Sequence, residues 1–237
     1  MNNPQVQARQ LSRAADTFAA EWLPRVAAAD DVEKHLCERD PQLGRLVRAV
    51  VARSGARRFR SARLGTHYDG IARAIIYQQL SGQAAGTIYN RVVAAVGGKL
   101  SPAAILATPM SKLRRAGVSG MKARALRELA LRVERGELPL RRLSSLPDDM
   151  IWSTLTEIPG VGPWTTQMFL MFRLRRLDVL PVGDTGVRRG LQFAYRLRRM
   201  PDTAYVTRVG QRWRPYRSIA CLYLWSALDL RLTQEDL

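Results

Sequence analysis

The sequence predicts an all-α fold, because apolar residues recur at helical spacing and no convincing segment alternates apolar with polar residues as strands do. The clearest helical run begins after Asp40-Pro41 and ends at Gly55. Serine or proline at the starts of runs, and glycine at their ends, support further helices. The apolar residues of the clearest run are spaced i, i+3, i+4, i+7 and i+8: Leu43, Leu46, Val47, Val50 and Val51.

The other elements follow from the same periodicity along the chain. Residues 1–10 are polar, and we expect them to fray. Ser81, Ser101 and Ser111 are predicted caps of the helices that follow them. The predicted helices cover 11–26, 41–54, 68–80, 82–96, two short segments that begin at Ser101 and Ser111, 121–135, 147–155, 163–174, 185–198, 202–213 and 215–229.

The charge balance is unusual for a chain of 237 residues, which is long enough for one large domain or two small ones. Thirty-eight Lys and Arg residues stand against 20 Asp and Glu residues, a formal net charge of +18. Such a surplus repels itself in a compact fold and indicates a polyanionic partner. Most of these basic residues are Arg. Either binding to phosphates or an arginine-rich genome would explain this preference for Arg over Lys. The basic segment 54–65 is predicted to be a solvated loop or, alternatively, a loop that faces nucleic acid.

Several classes of protein are disfavoured by composition. No run of 18 apolar residues occurs, so we expect no membrane span. The N-terminus lacks the pattern of a secretory signal. Cys37 and Cys221 are too few for a disulfide framework or an iron–sulfur cluster, and no clustered ligands suggest zinc or iron. A cytoplasmic protein is the simplest expectation.

A glycine-rich turn between two predicted helices is the most informative stretch. It lies in Leu155–Thr166, which contains I-P-G-V-G-P-W-T. Gly160 and Gly162 supply backbone freedom, and the N–H groups at the following helix start can hold a phosphate oxygen. Taken alone, this turn is better explained as a plain helical hairpin. With Asp184 eighteen residues after Thr166, it suggests chemistry performed on a nucleic acid.

The combined motif is more specific than the turn. L-x-x-I-P-G-V-G-P-W-T followed by D-V-x-P-x-x-D-T-x-V-x-R resembles the helix-hairpin-helix (HhH-GPD) DNA glycosylases. The Y-Q-Q-L-S stretch, the Trp after the hairpin glycines and the C-terminal R-W-R-P-Y-R-S are most similar to the 3-methyladenine (alkylpurine) glycosylase II branch. The resemblance covers about 68–229.

The resemblance implies two helical lobes with the hairpin, about 148–174, at a central DNA-binding cleft. One lobe would combine the N- and C-terminal helices, and the other would run from about Ser81 to Leu191. We accordingly divide the sequence into an N-terminal extension, 1–66, that packs with the C-terminal helices, and a glycosylase core, 67–237.

Asp184 is the predicted catalytic carboxylate, because cleavage of an N-glycosidic bond builds positive charge on the sugar. The alternative is that Asp184 only caps the helix that starts at Thr185. Asp178 matches a structural position and is left out of the chemistry. Trp164 stands where strand-cutting relatives carry a Lys, and no Lys follows Lys122, so a water-using, monofunctional enzyme is expected.

The remaining site residues are implied by the resemblance. An aromatic wall would bind an alkylated, electron-poor base, and a side chain would fill the gap that base flipping leaves. Gln79 is preferred to Gln78 as this wedge. A monovalent cation, Na⁺ or K⁺, would bind three main-chain carbonyls and bridge the hairpin to a phosphate; no cofactor is required. The base pocket would use Trp164, Trp225, Tyr77, Met168 and His67; backbone contacts would use Gly160, Val161, Gly162, Thr165 and Arg188; the cation would bind Thr156, Ile158 and Val161.

The sequence therefore predicts a monomeric base-excision enzyme that hydrolyses alkylated purines from double-stranded DNA, in the bacterial cytoplasm with the nucleoid. One alternative is a glycosylase for another base, namely uracil, hypoxanthine, ethenoadenine or mispaired adenine. Another is a hairpin module that binds DNA without catalysis. Asp184 and the aromatic pair argue against this second alternative, because binding to the DNA backbone needs neither.

Overall fold

The computed structural model describes residues 29–54 and 65–237, and its secondary structure is helical throughout. No strand occurs within these ranges, which confirms the all-α prediction. The expected helix over 11–26 and most of the basic segment 54–65 lie outside the described residues. The α-helices are α1 (Ala29–Arg39), α2 (Pro41–Ser54), α3 (His67–Tyr77), α4 (Gly82–Ala95), α5 (Pro102–Ala107), α6 (Met110–Arg115), α7 (Gly120–Glu134), α8 (Asp148–Thr156), α9 (Pro163–Met168), α10 (Thr185–Ala194), α11 (Thr203–Gly210) and α12 (Arg217–Asp229).

The chain forms two compact units, the first of which combines two separate parts of the sequence. Unit 1 combines Met1–Ala62 with Arg175–Leu237, and unit 2 is Arg63–Leu174. Unit 2 thus begins before Ser81 and ends before Leu191, the approximate bounds expected for the second lobe. The reason is packing, since α3 lies against α4, α7 and α9 within unit 2, whereas α10 packs on α12 and α2 within unit 1.

Each unit has its own core. In unit 2, one face of α3 is buried through Tyr68, Ile71 and Ile75, and α7 contributes Leu126 and Leu129. In unit 1, α12 is buried on several sides, as its continuous apolar sequence requires. No helix in the described parts of the chain combines the length and the apolar character needed to cross a bilayer.

Capping residues set most of the helix starts. Ser81 and Ser101 cap α4 and α5 as predicted, and Ser119 caps α7. The prediction for Ser111 is wrong, because α6 begins one residue earlier and Pro109 occupies the cap position. Proline at that point ends the preceding helix and is compatible with the start of the next one.

Two helices end differently from the predicted pattern. The second hairpin helix continues from α9 into a π-helical turn, Phe169–Arg173, before Leu174. The predicted helix over 185–198 stops at Ala194 because Arg196 adopts φ +53° and the Leu197 amide bonds back to the Gln192 carbonyl at 3.0 Å. The segment predicted as 202–213 is α11 followed by a short 3₁₀ turn, Gln211–Trp213.

Candidate active site and nucleic-acid interface

Asp184, in unit 1, occupies the cap position of α10 and holds its carboxylate in place with two hydrogen bonds. Its Oδ1 accepts the Val187 amide at 2.7 Å and the Trp225 Nε1–H at 2.9 Å. The carboxylate and the indole are both half-buried. The capping geometry weighed at the sequence level is thus present, and an aromatic side chain is added to it.

Gly186 explains how the indole can come so close, and the sequence analysis did not identify it. A Cβ at this position would lie 2.6 Å from Trp225 Nε1 and 3.0 Å from Asp184 Oδ1. A side chain there would therefore have to displace the indole. The signal in the sequence was a glycine in the first turn of a helix, where it costs stability unless something packs against it.

Asp178, also in unit 1, forms ion pairs with two arginines. Its carboxylate binds Arg217, with Nε to Oδ1 at 2.5 Å, and Arg214 lies 3.4 Å from its other oxygen. This ion pair fastens the segment before Asp184 to the start of α12. Its place agrees with a structural role for Asp178.

The hairpin in unit 2 consists of α8, a tight turn and α9. Gly160 adopts φ +87°, and a Cβ there would lie 2.7 Å from the Cβ of Ala125 on α7. Only glycine meets both conditions. Gly162 is the cap residue of α9, and no side chain caps the N–H groups of its first turn. The predicted phosphate seat is thus a main-chain structure that is supported from behind by α7.

Two of the predicted backbone-binding side chains point into the protein. Val161 is 3% exposed and Thr165 is 2% exposed. The Thr165 hydroxyl accepts a hydrogen bond from Gln78 Nε2 at 2.7 Å. Arg188, in unit 1, donates its Nε–H to the Pro201 carbonyl at 2.7 Å and so joins α10 to the segment before α11.

The turn between α3 and α4, here called the wedge turn (Gln78, Gln79, Leu80 and Ser81), separates the two predicted wedge residues. The Gln78 amide donates to the Gly160 carbonyl at 2.8 Å as well as to Thr165, so it is occupied with the hairpin. Gln79 is exposed and has φ +54°. Leu80 beside it is 39% exposed. The geometry therefore leaves Gln79, rather than Gln78, presented to solvent.

Lys122 binds the main chain at the start of the wedge turn, and the sequence analysis did not predict this contact. Its ammonium group donates to the Ile76 carbonyl at 2.9 Å and to the Gln78 carbonyl at 2.6 Å. Burial lowers the pKa of this amine from its ordinary value. No signal in the sequence could have found the contact, because main-chain carbonyls carry no residue signature and lie more than 40 positions away.

The predicted base-pocket residues fall into both units. Trp225 belongs to unit 1, and the other four belong to unit 2. Met168 is 7% exposed, and Trp164 is half-buried one helical turn before it. One face of the Tyr77 ring carries the Arg73 guanidinium at 4.4 Å, so a cation already occupies it.

His67 begins α3 and lies edge-on to Phe169, with 6.0 Å between ring centroids. Burial, and then the positive charge of Arg173, lower the pKa of His67. The imidazole is therefore biased toward its neutral form, in which it can line a pocket without repelling a cationic base.

The three carbonyls predicted to bind a cation border the hairpin turn. These carbonyls belong to Thr156, Ile158 and Val161. Of the carbonyls between them in the sequence, that of Glu157 accepts a hydrogen bond from Arg132, and that of Gly160 accepts one from Gln78. The Ile158 carbonyl already accepts the Val161 amide at 2.9 Å, and its second lone pair could serve a cation. Within the described residues, no group of three or more His, Cys, Asp or Glu side chains is arranged to bind a metal ion.

Comparison with known proteins agrees with this geometry. The family model described as "HhH-GPD superfamily base excision DNA repair protein" matches residues 72–215. DNA-3-methyladenine glycosylase 1 of Schizosaccharomyces pombe is 31% identical over 208 residues, which cover 86% of this chain and 90% of that protein. DNA-3-methyladenine glycosylase 2 of Escherichia coli is 28% identical, with 91% of this chain and 74% of that protein covered.

A solved structure extends the likeness to three dimensions. The S. pombe 3-methyladenine DNA glycosylase Mag1, in complex with abasic DNA, superposes with a TM-score of 0.77 at 29% identity, covering 84% of this chain and 97% of that one. The family match spans more than half of the 237 residues. It includes both the hairpin and Asp184, and it confirms the resemblance. The chain therefore belongs to the HhH-GPD superfamily of base excision DNA repair proteins.

Proposed function

We propose that this protein is a monofunctional DNA glycosylase that flips alkylated purines out of duplex DNA and hydrolyses their N-glycosidic bond. The observation that carries the proposal is the Asp184–Trp225 pair, a half-buried carboxylate oriented by an indole and by a helix N–H group. Relatives named 3-methyladenine glycosylases support the class of substrate.

Asp184 acts on the sugar. As the bond from C1′ to the base nitrogen breaks, the bonding electrons leave with the base, and C1′ becomes positively charged. A fixed carboxylate stabilises that charge without reorganising, because its two hydrogen bonds already hold it. Water then adds to C1′ and gives up a proton, which Asp184 is suited to accept.

Trp164 makes the reaction monofunctional. An amine at this position would attack C1′ and form a Schiff base, which leads to strand cleavage. An indole cannot do this, and the chain has no Lys after Lys122. The products are then free base and an abasic site in an intact strand.

The DNA is held by charge and by main-chain groups. The net charge of +18 provides attraction along the phosphate backbone, and the first turn of α9 provides N–H groups for one phosphate. A monovalent cation on the carbonyls of Thr156, Ile158 and Val161 would add a positive charge beside that phosphate. Gln79, exposed on the wedge turn, fills the gap that the flipped base leaves.

The enzyme acts as a monomer on the DNA of the cytoplasmic nucleoid in this proposal. A single chain carries both the hairpin and Asp184. Cys37 and Cys221 are both free thiols, which suits a reducing compartment.

The test is an assay of the purified protein on duplexes that each carry one lesion. We expect release of 3-methyladenine and 7-methylguanine as free bases, strand breaks only after alkali, and no adduct trapped by borohydride. Release of uracil, hypoxanthine or ethenoadenine alone would replace the alkylpurine substrate with another base. A trapped adduct would contradict the monofunctional mechanism. Tight binding without release of any base would leave only a DNA-binding module.

A further inference from the structure

Four carbonyl groups at the end of α3 accept hydrogen bonds, and two of these bonds come from Lys122. The last carbonyls of a helix lack partners within the helix. Here the Ile75 carbonyl accepts the Gln78 amide and the Tyr77 carbonyl accepts the Leu80 amide, at 3.4 and 3.3 Å. Lys122 donates to two more, the carbonyls of Ile76 and Gln78. A cation at this end also interacts favourably with the helix dipole.

Gln79 needs such support because its backbone is strained. A left-handed conformation is uncommon for a residue other than glycine, and it persists only where its surroundings impose it. Lys122 fixes the carbonyl immediately before Gln79 and another two residues earlier. On the other side, Ser81 caps α4 by accepting the Ala84 amide. The exposed glutamine is therefore held from both directions.

Helix α7, which carries Lys122, also supports the hairpin. Ala125, three residues after Lys122 on α7, limits the space behind Gly160, and Arg132 on α7 donates to the Glu157 carbonyl at 3.2 Å. Gln78 completes the connection, since its main chain is held by Lys122 while its side chain holds Gly160 and Thr165. One continuous network thus joins the wedge turn to the hairpin through α7.

We propose that Lys122 and Gln78 are positioning residues that form a latch, through which the hairpin's grip on a phosphate and the insertion of Gln79 act as one rigid device. The proposal deepens the proposed function, on which it rests. The ammonium group of Lys122 donates to main-chain carbonyls instead of binding DNA. Gln78 transmits the position of the hairpin turn to the wedge turn without itself entering the DNA.

The first experiment measures coupling on a duplex that contains a tetrahydrofuran abasic-site analogue. Lys122→Met keeps most of the side-chain length and removes the donors, so we expect it to weaken binding about tenfold, similar to Gln79→Ala. In the double variant, Gln79→Ala should add almost nothing, because an unlatched wedge no longer contributes. Independent, multiplying effects would overturn the proposal. Lys122→Arg, which can still donate to both carbonyls, should restore most of the binding.

The salt dependence distinguishes a latch from a phosphate contact. A Lys that neutralises a phosphate contributes about 0.9 to the slope of log affinity against log salt. Lys122→Met should leave the slope of wild type, and a decrease of about that size would assign Lys122 to DNA and overturn the latch. Lys99→Met is the matched control, because Lys99 is exposed in the same unit and its loss reports the effect of one charge.

Hydrogen exchange in the absence of DNA tests the latch separately from the proposed function. We expect the amides of residues 79–81 to exchange faster in Lys122→Met than in wild type. Global unfolding of the variant should occur at the same denaturant concentration as in wild type. Unchanged exchange would overturn the latch. Faster exchange in a protein that releases no base would refute the glycosylase instead. Gln78→Met cuts the network from its other side and gives the same readings should Lys122→Met fail to fold.

Discussion

Two indole–carboxylate pairs in unit 1 have nearly the same chemistry and different surroundings. Trp213 donates to Asp40, and Trp225 donates to Asp184, each at 2.9 Å. Each carboxylate also accepts an amide in the first turn of the helix that follows it. Asp40 and Trp213 are both 0% exposed, whereas Asp184 and Trp225 are half-buried. Tyr195 donates a further, short hydrogen bond to Asp40.

Similar hydrogen bonds therefore do not distinguish a structural carboxylate from one that can bind a substrate, whereas exposure to solvent does. A fully enclosed Asp40 can only fasten the start of α2 to the C-terminal helices. A half-buried Asp184, which also accepts from an indole and a helix amide, has access to solvent and so can also meet a substrate. Asp202 is a third helix cap for comparison: its Oδ1 accepts the Tyr205 amide at 2.7 Å at the start of α11, and the residue is exposed.

The largest expected effect comes from Asp184→Asn. Asparagine is as good a helix cap as aspartate, so α10 should persist while the charge that matters in the transition state is lost. Single-turnover excision should fall by about 10²-fold or more, with lesion binding and the melting temperature retained. Asp202→Asn makes the same chemical change at a plain cap and should leave excision intact. Equal effects of the two variants would show that Asp184 is only a cap.

Asp40→Asn should reverse this pattern. Burial, and then the neighbouring Asp40 charge, raise the pKa of Tyr195 above its usual range, so its hydroxyl keeps its proton and donates. An amide places a donor where several donors already converge, and we expect the free energy of unfolding to fall by about 2 kcal/mol. Denaturant unfolding measures this loss. Excision per folded molecule should match wild type; a specific loss of excision would mean that the enclosed pair takes part in the chemistry.

Gly186→Ala tests the close approach of Trp225 to Asp184. The added methyl group would lie 2.6 Å from the indole nitrogen and push it off the carboxylate. A displacement of this kind should slow single-turnover excision about tenfold. Gly183→Ala is the control, since its Cβ would meet no atom within 4 Å. Similar rates for the two alanine variants would show that the indole does not orient Asp184.

The smallest effect concerns the two thiols, which report on the two pairs separately. Cys37 lies three residues before Asp40, and Cys221 lies four residues before Trp225. Burial raises the pKa of both thiols. Asp40→Asn should speed labelling of Cys37 about threefold through more frequent local opening, while Asp184→Asn leaves Cys221 within about twofold of wild type. Mass spectrometry after a short exposure to iodoacetamide distinguishes the sites. Faster labelling of Cys221 would show that Asp184 also holds α12.

The sequence predicted the fold well where a side chain itself sets the structure. Ser81 and Ser101 could be identified as caps because capping is a local interaction. Asp184 was predicted as the catalytic carboxylate from its motif, and Trp225 as a pocket residue from its branch of the family. Their direct contact was not predicted, since 41 residues separate them. Lys122 and Gln78 were missed as a pair for a related reason: the atoms they bind are main-chain carbonyls or distant hydroxyls, which leave no periodic trace.

The contact between Gly160 and Ala125 has a consequence for how such an enzyme can be altered. Lys122 and Ala125 are about 4.5 Å apart along α7, at 1.5 Å per residue, and their partners lie on two different turns. Inserting or deleting one residue between them would rotate one of the two side chains about 100° around the helix axis relative to the other, and so remove it from its partner. A chimera that exchanges the hairpin for a relative's should therefore carry α7 with it, or it will transplant a turn without its support.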